Sequence, residues 1–310
     1  VIKVGVIGIG LIAANAYLPI YACMDDVDFY FCTRNENTLD EIRSKYRWNH
    51  LFTSIDDLLK QGIQAAFVHA ATPAHPTIIE RLIHEGIAVY TDKPLTDHFE
   101  SAVYLTKLAE EKHVMLTTGF NRRFAPLLTE ASLLPDKTMI ICQKNRVDAS
   151  GDLRTIVYDD FIHVLDTVRF IIGKPIDPIS VHFSWNSENQ CSGILALFRS
   201  GHILVSGIMN RVSGANEETT QVMTRHGECV VHNLMEREWI EGTARQLKRF
   251  DDWTSTLHKR GFEPIISAFI QAVKMGQSEP IDKRDALETY RLCEWVTNQG
   301  EIELINRRSN

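Results

Sequence analysis

The amino-acid sequence predicts a doubly wound parallel α/β domain followed by an α+β domain with an open, largely antiparallel sheet. Three observations carry this. From residue 2 to residue 117, short apolar runs rich in β-branched residues alternate with helical patterns, the rhythm of parallel strands joined by crossover helices. After about residue 120 the pattern becomes a series of alternating runs with turns between them and helices before and after. The length of 310 residues suits two domains at about 150 residues each; the change of rhythm places them at 1–120 and 121–310.

Each element follows from its local pattern. Ile2–Ile7 is a buried strand because its run is continuous and β-branched. Leu11–Met24 is helical, with Pro19 expected to kink or split it, since proline lacks the amide donor and crowds the preceding turn. Val27–Cys32 is the second strand and Thr38–Tyr46 a helix. Ser54–Lys60 is a short helix with Ser54 as its N-cap. Ala65–Ala70 is the third strand, and Pro76–Glu85 a helix closed by Gly86. Ala88–Thr91 is the fourth strand, Glu100–Lys112 a long helix and Val114–Thr117 the fifth strand. In the second half, Lys137–Val147 is a long strand, and Tyr158–Ile172 a helix ended by Gly173-Lys174-Pro175. Ile179–Trp185, Gly193–Phe198, Ile203–Met209, Thr219–Thr224, Cys229–Asn233 and Glu238–Glu241 are further strands, with Ser200-Gly201 as a hairpin turn. Phe262–Lys274 and Asp285–Thr297 are closing helices.

Composition narrows the function. The formal charge of −7, from 33 basic and 40 acidic residues, argues against nucleic acid as the main partner. No apolar run approaches the roughly 18 residues that span a bilayer. Val1–Gly8 reads as a structural strand and not as a secretory signal. Six widely spaced cysteines without a CxxC suggest neither a zinc site nor a disulfide framework. A reduced, cytoplasmic, soluble protein acting on a small polar molecule is expected.

Gly8-Ile9-Gly10-Leu11-Ile12-Ala13 has the form GxGxxA between a strand and a helix. The first glycine permits the tight turn, the second lets the backbone approach a pyrophosphate, and Ala13 allows close helix–strand packing. Amides at the helix start, at Leu11 and Ile12, then face the phosphates along the favourable end of the helix dipole. This is the dinucleotide-binding arrangement of a Rossmann domain; an unliganded glycine-rich turn has the same residues. An acid at the end of strand two would bind the ribose 2′-hydroxyl, and an arginine a 2′-phosphate. The residues there are Thr33 and Arg34. Unless Arg34 is merely solvated, they favour NADP(H), with NAD(H) as the alternative.

Lys93 and Pro94 follow strand four, at the strand end where open α/β sheets collect ligands. A lysine there can donate to a substrate oxygen and stabilise developing charge; a Lys-Pro pair can equally be only a turn. Asp159 and His163 are four apart on a helix, hence on one face. A histidine oriented by a carboxylate can shuttle a proton near neutral pH. An ordinary ion pair has the same spacing. Asp166 lies on a similar face, but the ligand count is too low for a metal, and none is expected.

The four segments Gly8–Ala13, Thr72-Pro73-Ala74-His75, Asp92-Lys93-Pro94 and Asp159-x-x-x-His163 stand in one order. Together they resemble the Gfo/Idh/MocA family of NAD(P)-dependent oxidoreductases over nearly the whole chain. Within it the chain is similar to the MviM-like "virulence factor" branch, through Val89–Leu95, Gly119–Pro126, Asp159–Thr167, Trp253–Leu257 and Arg260-Gly261-Phe262. The resemblance implies hydride transfer at a carbinol carbon of a sugar, inositol or related polyol. It implies that Lys93 touches substrate and nicotinamide, that His163 is the acid/base with Asp159 as companion, and that Thr72, Pro73 and His75 lie along the cofactor. Asn121 and Arg123 fall beside the nicotinamide end. Phe161 stands where the family often has glycine, so its ring is expected to narrow the substrate pocket.

The expectation is therefore an NADP(H)-dependent dehydrogenase or reductase, with a non-enzymatic cofactor-binding regulator as the competing reading. The joint presence of Lys93, Asp159 and His163 favours chemistry, since a sensor needs only the dinucleotide half. A homodimer or homotetramer is expected through the second sheet, whose Ile203, Val205 and Ile208 would need covering. Finally, Lys144 and Arg146 share a strand face. If that face lines the cleft, the two cations bind an anionic substrate such as a sugar acid or sugar phosphate; if not, they are solvated or answer Asp148 and Asp152.

Overall fold

The computed structural model describes residues 1–309 and divides into two compact units. The first holds Val1–Gly119 with Phe262–Leu287, and the second Phe120–Gly261 with the residues from Glu288 onward. The crossover at about residue 120 is where the sequence rhythm changes. Phe262–Leu287, assigned by sequence to the second domain, belongs with the first. The reason is aromatic packing: Phe269 lies 5.3 Å from Phe67 and 5.5 Å from Tyr90, and Phe262 lies 5.6 Å from Tyr17.

The first unit carries β1 (Ile2–Ile7), β2 (Val27–Cys32), β3 (Leu51–Phe52), β4 (Ala65–Val68), β5 (Ala88–Asp92) and β6 (Leu116–Gly119) in one parallel sheet, ordered β3-β2-β1-β4-β5-β6. The five expected strands are present, and the two-residue β3 is added at the edge, too short to leave a periodic signal. β6 begins at Leu116, two residues later than expected. The helical run is split near Pro19, as expected. Ala13–Tyr17 forms a wide π turn, and Pro19 sits at the start of Leu18–Tyr21, where its missing amide costs little. Ser54 caps as expected, its side chain accepting from the Asp56 amide. Asn35 caps the next-nearest helix by accepting from Asn37 and Thr38, so that helix starts at Glu36 and not at Thr38.

The second unit is built on β7 (Lys137–Asn145), β8 (Asp177–Trp185), β9 (Cys191–Ser200), β10 (Ile203–Asn210), β11 (Glu217–Thr224), β12 (Glu228–His232), β13 (Glu236–Glu241) and β14 (Ala244–Arg249). Their order is β14-β13-β12-β11-β7-β10-β9-β8, antiparallel except for the β7–β10 pair. β14 was not expected; every residue in it is exposed, so no apolar alternation marks it. The helical segment from Leu153 to Ile172 lies on one face of this sheet, with a π turn at Val157–Phe161. A Cβ added at Gly207 in β10 would meet Val164 at 3.0 Å and the Phe161 ring at 3.4 Å. The bulk of Phe161 is thus taken up by a glycine in the sheet, and the ring is fully buried. It packs in the core beneath β10.

Ile203 and Val205 are buried on the helix-covered face, which corrects the expectation that they line the open one. The pleat puts alternate residues on opposite faces, so Leu204 and Leu195, 43% and 38% exposed, mark the uncovered side. No helix among the described residues is long and apolar enough to cross a membrane.

Candidate active site

In the first unit, the strand order reverses between β1 and β4, and loops at the carboxyl edge of the sheet enclose a cleft of about 510 Å³. Such a switch point is where open α/β sheets bind ligands. Gly8, Gly10, Thr33, Arg34, His69 and Ala74 are among its lining residues, and no Asp or Glu lines it among the described residues. Gly8 has φ +83°, and a Cβ there would lie 2.4 Å from the Ala70 amide nitrogen. The loop after β1 therefore sits directly on the loop after β4. At Gly10 an added Cβ would meet nothing within 4 Å. The backbone there faces open space, which suits a pyrophosphate. The side chains of Leu11 and Ile12 are exposed, so only their backbone amides are suited to binding phosphate. The residues present fit a dinucleotide.

Thr72-Pro73-Ala74 is a single helical turn leading into His75. The sequence placed His75 along the cofactor. Its ring is buried, with Nδ1 2.9 Å from the Pro94 carbonyl oxygen and Nε2 2.8 Å from that of Ala70. It ties the β4 loop to the Lys93-Pro94 turn, whose peptide is cis. Lys93 is half-buried, and its backbone amide donates to Asp92 Oδ1 at 2.9 Å. Tyr17 donates its hydroxyl to the same oxygen at 3.1 Å. Burial raises the Asp92 carboxyl above its ordinary value, against the pull of Lys93. Asp92 is thus an internal anchor that fixes the backbone of Lys93. His69, beneath the cleft, is lowered to about 3 by burial and by neighbouring His75, and stays neutral.

In the second unit, His163 is buried and meets Arg122, whose NH1 lies 2.7 Å from Nδ1. A guanidinium can only donate, so Nδ1 accepts and the neutral ring carries its proton on Nε2. Arg122 is held in turn by Glu218, through Nε at 2.5 Å and NH2 at 2.7 Å. Burial would raise the Glu218 carboxyl, but the charge and hydrogen bonds of Arg122, with Lys144 beyond, bring it down to about 2. The expected companion, Asp159, is exposed while His163 is buried. The π turn at Val157–Phe161 is wider than an α turn; Asp159 lies within it and His163 in the α-helix that follows.

Asp160 is the buried acid of this turn. It receives Lys144, Arg146 through Nε at 2.9 Å and NH2 at 3.1 Å, and Arg211 through NH1 at 2.5 Å. Burial would raise its carboxyl, but the Arg146 hydrogen bonds and the Lys144 charge outweigh this and hold it well below the carboxylate range. Lys144 is lowered to about 7 by burial and by the charge of Arg122. Lys144 and Arg146 do share a face, as expected, but their charges are answered by Asp160, not by Asp148 or Asp152.

Arg123 is likewise committed. Its Nε and NH2 clasp buried Asp166 at 2.7–3.1 Å, and Thr289 completes the site at 2.9 Å. Asn121 donates from Nδ2 to the Arg260 carbonyl at 2.7 Å. Sequence reasoning therefore missed Arg122, Asp160, Glu218 and Arg260. Arg122 and Glu218 lie 96 positions apart, and no local periodicity pairs them. The only signal for Asp160 was its place next to Asp159.

A parallel sheet with a glycine-rich cleft at its switch point, a lysine at the end of β5 and a second unit carrying a buried histidine define a nucleotide-dependent oxidoreductase of the dehydrogenase type. Comparison with known proteins agrees. Residues 2–120 match the model of the oxidoreductase family with an NAD-binding Rossmann fold, and residues 131–242 that of the YceM-like C-terminal domain. The chain is a Gfo/Idh/MocA family oxidoreductase with a YceM-like C-terminal domain. It is 29% identical over 279 residues to "Putative oxidoreductase YceM" of Salmonella typhimurium, covering 88% of this chain and 90% of that protein. A Gfo/Idh/MocA family oxidoreductase from Vibrio cholerae superposes with a TM-score of 0.91 at 28% identity, covering 98% of this chain and all of that one. The dehydrogenase MviM from Clostridium difficile superposes with a TM-score of 0.92 at 28% identity, covering 96% and 99%.

Proposed function

We propose that this oxidoreductase uses NADP(H) to interconvert a carbinol and a carbonyl on a small sugar, polyol or sugar acid. The observation that carries the cofactor choice is the lining of the cleft, where Thr33 and Arg34 occupy the end of β2 and no carboxylate is present. A guanidinium suits a 2′-phosphate through paired hydrogen bonds. Bound nicotinamide would supply or accept the hydride. Lys93 is the group that donates to the substrate oxygen and exchanges its proton. We assign His163 a hydrogen-bonding role where the family resemblance implied an acid/base. The contact from Arg122 to Nδ1 orients the ring, and in this reading His163 hydrogen-bonds the reacting oxygen. Asp159 stays exposed at the rim of its helix. Arg34→Ala is expected to weaken NADP(H) at least tenfold and NAD(H) less than twofold in a fluorescence titration. Equal losses for both would refute the assignment.

The same reading includes a homodimer or homotetramer joined through the uncovered face of the second sheet. Leu195 and Leu204 are exposed there, an apolar surface that association would bury. Light scattering at high micromolar concentration is expected to give a multiple of the 35.3 kDa chain, and Leu204→Glu to lower it. A monomeric wild-type protein would refute this.

A further inference from the structure

The second unit gathers five cations, Arg122, Lys144, Arg146, Arg211 and Arg260, around two buried carboxylates. Asp160 answers Lys144, Arg146 and Arg211, and Glu218 answers Arg122. Exposed Asp159 adds a third negative charge that acts on Arg146. That leaves a local excess of positive charge inside a chain whose net charge is −7. Arg260 is the cation of this group that no carboxylate touches, although Glu218, already clasped by Arg122, attracts it through space. Among the described residues its guanidinium has no ion pair and no hydrogen bond, although the residue is half-buried.

Its position is built. Gly261 has φ +80°, and a Cβ there would lie 2.0 Å from the Asn121 carbonyl oxygen and 2.6 Å from the Ala125 amide nitrogen. The Asn121 side chain holds the Arg260 carbonyl at 2.7 Å. The Arg260-Gly261 turn is thus pressed onto the segment that carries Arg122, which touches His163 at 2.7 Å. We infer that Arg260 is a specificity-determining residue that binds an anionic substituent, carboxylate or phosphate, of the substrate. This rests on the oxidoreductase reading above. It moves the expected anion site from Lys144 and Arg146, which are paired within the protein, to a cation that is not. Burial and the charge of Arg122 lower the Arg260 guanidinium from its ordinary value, so an arriving anion relieves both the repulsion and the missing hydrogen bonds.

The test needs no turnover. The thermal midpoints of the full chain and of Arg260→Ala are measured with added phosphate, acetate, D-gluconate, D-glucose 6-phosphate or neutral D-glucose, at constant ionic strength set with sodium chloride. Without added anion, Arg260→Ala is expected to melt at or above the wild type, because it removes an unpaired like charge. At least one anion is expected to raise the wild-type midpoint, glucose is not, and Arg260→Ala is expected to lose at least four-fifths of that shift. A response to phosphate and glucose 6-phosphate assigns the substituent as phosphate, and a response to acetate and gluconate assigns it as carboxylate. An Arg260→Ala protein less stable than wild type by several degrees would show that Arg260 is structural. No anion effect on wild type, or an equal effect on both proteins, would overturn the inference. NADP(H) binding and hydride transfer are measured separately, so failure here leaves the oxidoreductase assignment testable.

Discussion

Lys93→Ala is expected to lower turnover by about 10²–10⁴, the range usual for losing a general acid or base, while NADP(H) affinity stays within a few-fold of wild type. Its backbone would still be held by Asp92, so the turn survives the loss of the side chain. His163→Ala is expected to fall in the lower part of that range. The sharper comparison is His163→Gln, whose amide can replace an Nε2 hydrogen bond but cannot exchange a proton. It is expected to retain about tenfold more activity than His163→Ala. Equal losses would mean that His163 itself moves the proton. A Lys93→Ala enzyme with near-normal turnover on an identified substrate would remove lysine from the mechanism.

The largest expected effect on stability comes from Asp160→Ala. Three cations, Lys144, Arg146 and Arg211, converge on that one carboxylate. Removing the acid leaves them facing one another with burial uncompensated, and breaking such a buried cluster costs about 3–5 kcal/mol. Asp159→Ala, one residue away but exposed, is expected to cost less than about 1 kcal/mol. Denaturant midpoints of the two variants check the contrast, and equal values would refute it. Acid should act the same way. Glu218 and Asp160 are both held below their ordinary values. The stability they contribute is complete above about pH 5 and is lost as pH falls through their folded values, near 2 for Glu218. Asp160→Asn is expected to flatten that acid limb. An unchanged limb would mean that other carboxylates carry it.

The expected class of protein and most of its strands were legible because they depend on local signals. GxGxxA at Gly8–Ala13 forms its turn from its own residues, and the β1, β2, β4 and β5 runs are continuous and apolar. Ser54 caps its helix through a contact two residues away. These features lie within the reach of periodicity and short-range hydrogen bonding. Lys93 was placed at a strand end by the same kind of argument.

The inner arrangement of the second unit was not legible, because it depends on charges far apart in sequence. The spacing of Asp159 and His163 assumed an α-helix of constant pitch. Only the folded chain shows the π turn that exposes Asp159 and buries Asp160. Lys144 and Arg146 looked available because Asp160 carried no mark of its own, and Arg211 joins it from 51 residues away. Likewise, Arg123 reads as a ligand-binding arginine until Asp166 is seen to hold it, and Arg260 reads as one more surface cation until its neighbours are known. By itself the sequence determined the parallel nucleotide-binding sheet, the glycine turn and the open antiparallel sheet, since each follows from local geometry and patterning. Tertiary structure decided which cations of the second unit's cluster pair directly with a carboxylate and that Arg260 does not, because Coulomb energy depends on distance and burial and not on position along the chain.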